Sequence, residues 1–254
     1  MDNGSPLEVK VWGEFACFTR PEFGVERVSY EVMTPSAARG VLEAIFWKPE
    51  FRWLVREIEV LPSARRNFAG KPVEDEEDRI RHFSILRNEM NHLQNLQRAQ
   101  SGEPYYADSG DDMYGKNRAQ RHTLCLRDAA YVIRADMEMK PHSTDNPAKY
   151  RDQFRRRVKR GQCFSQPYLG TREFSAFFGP PDGDEKPVDM TDDLGLMLFD
   201  VDFEPDANGN VSHAGHGPEG RTIVKANARP KFFQARLEGG ILKVPREMYG
   251  RSPT

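Results

Sequence analysis

Residues 34–46 read Thr34-Pro35-Ser36-Ala37-Ala38-Arg39-Gly40-Val41-Leu42-Glu43-Ala44-Ile45-Phe46, and the architecture turns on this stretch. A hydroxyl residue followed by proline is a helix start, because the side-chain oxygen can cap a free amide and proline is tolerated in the first turn. Ala37, Ala38, Val41, Leu42, Ile45 and Phe46 then supply an apolar stripe at helical spacing, and Pro49 stops the helix. On the N-terminal side, Glu8–Phe18 reads as a strand, with Val9, Val11, Phe15 and Cys17 on one face and Trp12, Ala16 and Phe18 on the other. On the C-terminal side, Phe51–Leu61 is a second strand that alternates through Trp53 and Val55 and, after a slip, Ile58 and Val60.

Further along, the acidic run Glu74-Asp75-Glu76-Glu77-Asp78 places 62–82 in a loop, Phe83–Met90 is a possible strand, and polar 91–117 reads as a mobile insertion. His122–Met139 resumes a long strand pattern. Asn146-Pro147 opens a second helix, Tyr150, Phe154 and Val158 give it one buried stripe, and Gly161 ends it. Phe164–Phe178 is aromatic and strand-like, and short strands follow near 196–203, 222–226, 232–237 and 241–244. The order predicts an α+β fold: a ferredoxin-like (split βαβ, RRM-like) domain over 1–178 with two helices on one face, then a small antiparallel β domain over 179–254.

The chain has 254 residues, 38% of them hydrophobic and 30% charged, and its 16 Phe, 8 Tyr and 3 Trp exclude wholesale disorder. No apolar run reaches membrane-spanning length, and Met1–Pro6 has no signal-peptide character, so a cytoplasmic protein is expected. Cys17, Cys125 and Cys163 are too far apart for a metal knuckle and read as free thiols. His213 with His216, and Asp192-Asp193 with Asp200 and Asp202, are weak metal patterns. Phosphate-binding-loop, dinucleotide and nucleophile-elbow motifs are absent from the sequence, so no cofactor is expected.

The formal net charge of −2 conceals a polarised chain. Residues 140–172 carry nine basic and two acidic side chains, whereas 173–219 carry one basic and twelve acidic. Seven of the twelve residues 149–160 are basic. Such a helix face suits phosphate contacts, with counterion release adding salt-sensitive affinity. The competing reading pairs it with the acidic 182–206 stretch as an ordinary solvated face. Lys149 lies in the first turn, beside the positive end of the helix dipole, where an ammonium could stabilise charge on a phosphate.

Four blocks, Val32–Gly40, Glu43–Pro49, Asn117–Arg121 and Arg160–Phe174, resemble in that order the "Cas five" family of CRISPR-associated proteins, of RAMP type, in its subtype I-C form. The resemblance spans about 7–245 and implies a metal-independent endoribonuclease. Such an enzyme cuts CRISPR repeat RNA by attack of a ribose 2′-hydroxyl on the adjacent phosphate. It then stays on the 5′ handle of the guide RNA (crRNA) with other Cascade subunits in antiviral defence. In that family the catalytic set is a Tyr in an Ile-Tyr-Trp-Lys-Pro motif and a Lys-His pair at the start of the second helix. Here Phe46 stands at the Tyr position, Lys149 at the Lys and Tyr150 at the His. Lys149, Tyr150 and Phe46 are therefore the expected catalytic positions. Arg39, Lys48, Arg118, Arg121, Arg155, Arg156, Arg157, Lys159, Arg160 and Arg172 are the expected RNA-binding residues. His142, Tyr30 and His122 are alternative bases. A non-catalytic subunit holding the 5′ handle, or a module engaging duplex DNA, are the rival readings.

Overall fold

Thr34 caps α1 (Pro35–Ile45), its Oγ1 accepting from the Ala37 amide at 3.3 Å, and Phe46 closes it through a 2.8 Å bond to the Leu42 carbonyl. The helix stops before Pro49 as expected, the chain leaving it at Phe46 in an extended conformation. The second helix, α2 (Pro147–Arg160), starts where Asn146 accepts from the Ala148 amide at 3.0 Å. It ends at Gly161, whose φ of +62° is the left-handed cap that glycine adopts without a Cβ penalty. The structure, a computed structural model, describes residues 5–23, 26–62, 82–90, 118–205, 214–217, 220–223 and 226–250. The expected insertion at 91–117, most of the expected 62–82 loop, and His213 lie outside these residues.

Before, between and after the helices run β1 (Leu7–Ala16), β2 (Arg27–Val28), β3 (Phe51–Val60), β4 (His82–Met90), β5 (Arg118–Met139), β6 (Phe177–Gly179), β7 (Asp192–Pro205), β8 (Ala214–Gly217), β9 (Gly220–Ile223), β10 (Ala226–Glu238) and β11 (Ile241–Lys243). The main sheet is ordered β6-β1-β5-β3-β11-β10-β7, and β2 and β4 also pair with β5. Its pairings are antiparallel apart from β2 with β5. Among the described residues the chain is thus a mixed fold, a mainly antiparallel sheet with two α-helices. The C-terminal strands join the N-terminal ones through β11 on β3.

One face of the sheet is the core. Leu7, Val9 and Val11 of β1 sit opposite Ala135, Ile133 and Tyr131 of β5, and all are buried with Trp53, Val55 and Ile58 of β3. The slip expected in β3 is a register shift between Val55 and Glu57, which returns Ile58 to the core face. Val41, Leu42 and Ile45 of α1 and Tyr150, Phe154 and Val158 of α2 complete the same cluster. On the opposite face Trp12 rests on a small cluster of Leu61, Ala130 and Val132.

Two strand expectations need correction. In β1 the alternation fails after Gly13: Ala16, Cys17 and Phe18 are all buried, while Phe15 is half-exposed against Phe83 and Phe174. Residues 164–178 form little strand, only the Tyr168–Ser175 bridge and β6. They wrap the molecule instead. The amides of Phe164 and Ser165 both bond the Ala44 carbonyl at the end of α1, and the Leu169 carbonyl accepts from Cys17. Gly170 is pressed so close that a Cβ would lie 2.0 Å from the Cys17 oxygen. The three cysteines are free. Among the described residues no helix is long and apolar enough to cross a membrane.

Candidate functional site

The C-terminal end of α1 meets the N-terminal end of α2, and there Phe46 converges with the adjacent pair Lys149 and Tyr150, about a hundred residues away in sequence. Phe46 is fully buried, its ring 5.5 Å from Phe51 and 6.3 Å from Tyr150. Phe51 lies 5.5 Å from Tyr150, and Trp53 packs edge-on against Phe154 at 4.8 Å. This aromatic wedge fixes the angle at which α2 presents its first turn. Phe46 carries no hydroxyl and acts as a wall.

Above the wedge lies a polar triad. The Tyr150 ring is buried but its hydroxyl donates to Asp145 Oδ2 at 2.5 Å, and Lys149 Nζ reaches the same oxygen at 3.1 Å. The ammonium also stands 5.5 Å from the centre of the Tyr150 ring. Donation to Asp145 pushes the Tyr150 phenol up to about 12. The same bond, helped by Lys149, holds Asp145 below its usual carboxylate range. At neutral pH, then, Tyr150 is a protonated donor and Asp145 an anion. Lys149 has a side chain 60% exposed and a single carboxylate partner, leaving donor capacity on its ammonium.

The remaining predicted residues divide by environment. Arg156, Lys159 and Arg160 are exposed and make no ion pair with the described residues, and Arg155 meets only Asp152 of its own helix, at 3.3 Å. Lys48, just past α1, and Arg172, in the loop before β6, are exposed. Arg157 turns inward: it donates to the Ile45 carbonyl at 2.7 Å and lies over the Phe46 ring at 5.1 Å. Arg39 is held by Asp200 of β7, with a 3.0 Å bond from Nη2 and a closer contact from Nη1, and by Glu43 at 3.7 Å. Arg121 is half-exposed on β5, and Arg118 opens that strand. Of the alternative bases, Tyr30 is buried, its hydroxyl accepting from the Leu198 amide at 3.2 Å. His122 contacts Ser84 at 3.3 Å, and exposed His142 shares with Asp145 the loop before α2.

Among the described residues the acidic stretch pairs elsewhere than with the basic helix. Asp182 and Glu185 hold Lys10, Asp193 holds Gln234, Asp200 holds Arg39, and Asp202 holds Lys231. No described ion pair joins these carboxylates to α2. Nor do His, Cys, Asp or Glu side chains gather in threes to hold a metal among the described residues. Sequence reasoning missed Asp145, although its place four residues before Lys149 is the spacing of a helical ion pair.

The family model described as CRISPR-associated protein (Cas_Cas5), of the Cas5d type, matches residues 6–245. A CRISPR pre-crRNA endoribonuclease Cas5d of Thermus thermophilus is 48% identical over 243 residues, which cover 96% of this chain and 93% of that one. The chain belongs to the Cas5d family. A second Cas5d named as a pre-crRNA endoribonuclease, from Mannheimia succiniciproducens, is 38% identical, with 94% of each chain covered. A crystal structure of a CRISPR-associated protein shares the fold with a TM-score of 0.56 and 18% identity, covering 95% of this chain and 92% of that one. Membership of Cas5d, subtype I-C, is what the four motif blocks imply.

Proposed function

We propose that this Cas5d chain is a CRISPR repeat-RNA endoribonuclease that remains on the guide's 5′ handle as a subunit of an RNA-guided surveillance complex. The observation that carries the reading is the meeting of Phe46, Lys149 and Tyr150 at one junction, on a helix whose Arg156, Lys159 and Arg160 have no acidic partner among the described residues. The names of the two curated relatives support the substrate class. The strand order β6-β1-β5-β3 with α1 and α2 supports reading 1–178 as a ferredoxin-like RNA-processing domain. Residues 179–254 form a smaller β-rich domain joined to it along β3.

The chemistry follows from the protonation states. A phenol held near 12 is not a base at pH 7, and its one proton is given to Asp145, so Tyr150 shapes the scissile site by fixing Asp145 and Lys149 and does not act as the proton acceptor. Lys149 stabilises the charge that develops as the ribose 2′-oxygen bonds phosphorus and the bond to the 5′-oxygen breaks. The 2′-hydroxyl proton passes to hydroxide or to His142, and the 5′-oxygen takes a proton from solvent, leaving a 2′,3′-cyclic phosphate. Arg155, Arg156, Lys159, Arg160, Arg172 and Lys48 grip phosphates, with Arg118 and Arg121 extending the surface along β5. Arg39 and Arg157 are positioning residues that hold α1 in place, through Asp200 and through the Ile45 carbonyl. Each bond change in this step is served by a side chain or by water, so the step as written calls for no metal ion.

Purified protein incubated with repeat RNA in EDTA should yield a cyclic-phosphate end, and a 2′-deoxy substitution at the cut site should abolish the product. Cleavage of the deoxy substrate would overturn the mechanism. Phenylalanine at 46 and tyrosine at 150, where the family motif has a tyrosine and a histidine, favour a second reading, a subunit that binds the 5′ handle without cutting. Tight handle binding with no cyclic-phosphate product would select it.

A further inference from the structure

Three large aromatic side chains stand bare on the two segments that are tied together at the end of α1. Trp47 is 53% exposed, Phe164 77% and Tyr168 40%. Leaving a phenylalanine this open forgoes the free energy of burying it, and bare apolar groups near one another mark a binding surface more often than scattered ones do. Nor are these rings on a loose tether. Phe164 and Ser165 are both bonded to the Ala44 carbonyl, at 2.8 and 3.1 Å, and Trp47 leaves the chain three residues after that carbonyl. From there the loop carries Tyr168 to the wall of a cavity of about 270 Å³, just before Leu169 is anchored to Cys17.

The chemistry around the rings indicates what they receive. From 153 to 172 the sequence has six cations and no acid, and Lys48 follows Trp47. Aromatic faces interleaved with cations match a single-stranded nucleic acid, whose bases stack while its phosphates are neutralised. Phe177 makes the contrast. It is equally bare at 64%, but it stacks on Trp12 at 6.1 Å, and Lys10 of the neighbouring strand is occupied by Asp182 and Glu185.

We infer that Trp47, Phe164 and Tyr168 form a stacking strip for the unpaired nucleotides of the repeat RNA beside the phosphate held at Lys149. This rests on the RNA-processing reading and deepens it: the stem-loop engages the cations, and the strip fixes the single strand, so the cut falls at one phosphate.

The test compares two RNAs, the bare repeat stem-loop and the same stem-loop with its unpaired flanks, binding to the full-length protein. Trp47→Ala, Phe164→Ala and Tyr168→Ala should each weaken binding of the flanked RNA by about 5- to 100-fold, the range of one base stacked on one ring. The bare stem-loop should bind all three as it binds wild type. Phe164→Tyr, which keeps the ring, should restore affinity, and Phe177→Ala should behave as wild type. Flanked RNA should quench tryptophan emission, and Trp47→Phe should remove that quench. If all three alanine variants bind flanked RNA as wild type does, while RNA is still bound and cut, the strip is refuted and the nuclease reading stands. Normal RNA affinity with lost association to partner subunits would overturn it too, assigning the surface to a protein. Failure of wild type to bind either RNA would sink the underlying reading.

Discussion

Arginines on α2 and arginines elsewhere in this molecule keep different company. Arg39 is held by Asp200 and Glu43, Arg56 and Arg246 share Asp136, and Arg134 reaches Glu8, Glu57 and Glu59. Arg156, Lys159 and Arg160 on α2 face solvent without an acid among the described residues. The side chains are alike, but the first group ties strands and helices together and the second leaves a field directed outward. Net charge is blind to this difference, since the same −2 would arise from either arrangement. A cation is available to a phosphate only where folding has not already supplied it with a carboxylate.

The largest test of that contrast is at Lys149, the most exposed of the proposed catalytic positions. Lys149→Ala should lower the cleavage rate by about 10²–10³-fold, the loss typical of one charge-stabilising donor, while stem-loop affinity stays nearly unchanged. Wild-type cleavage by this variant in single-turnover kinetics would remove Lys149 from the chemistry. Next comes the outer face of α2. Replacing Arg156, Lys159 and Arg160 together by alanine should flatten the slope of log K against log salt by about 2, at roughly 0.7 to 0.9 for each phosphate no longer neutralised. An unchanged slope would show that these cations touch no phosphate.

Arg39→Ala probes the other side. It should leave the salt slope alone and cost about 1 kcal/mol of stability, a discounted value for a pair partly open to solvent. On a chain of this size that lowers Tm by about 2–4 °C. A flattened salt slope with unchanged Tm would mean that Asp200 releases Arg39 to RNA.

The smallest effect concerns pH. Tyr150 has its folded-state phenol raised from the ordinary value of about 10 to about 12. Its contribution to stability is therefore complete below pH 10 and is lost as pH rises from 10 through 12. Asp145 is shifted the other way, so its contribution is present above the ordinary carboxylate range and fades in acid below it. Phenolate absorbance should show one tyrosine titrating near 12 in wild type, and Asp145→Asn should move it back toward 10. Identical titrations would break the assignment of Asp145 as the group holding Tyr150.

The two helices were legible because their signals are local. Thr34-Pro35, Asn146-Pro147 and Gly161 cap in the structure as their side-chain and backbone chemistry requires. The slip in β3 was legible for the same reason, since a change of phase in an alternating pattern has to place an extra residue somewhere. Residues 164–178 were not, because aromatic density resembles a strand. What holds them is a pair of amides bonded to Ala44 and a glycine wedged on Cys17, and both contacts are distant in sequence.

From the sequence alone came the caps, the order of elements, the polarised charge and the four blocks that mark the family. Each is written in neighbouring residues, within reach of one helical turn or one strand period. The tertiary structure decided which cations are already spent, how Phe46 comes to lie beside Tyr150, and that Asp145 governs both Tyr150 and Lys149. Those facts depend on where the end of one helix meets the start of another, and that meeting is set by packing across the sheet, which no local pattern encodes.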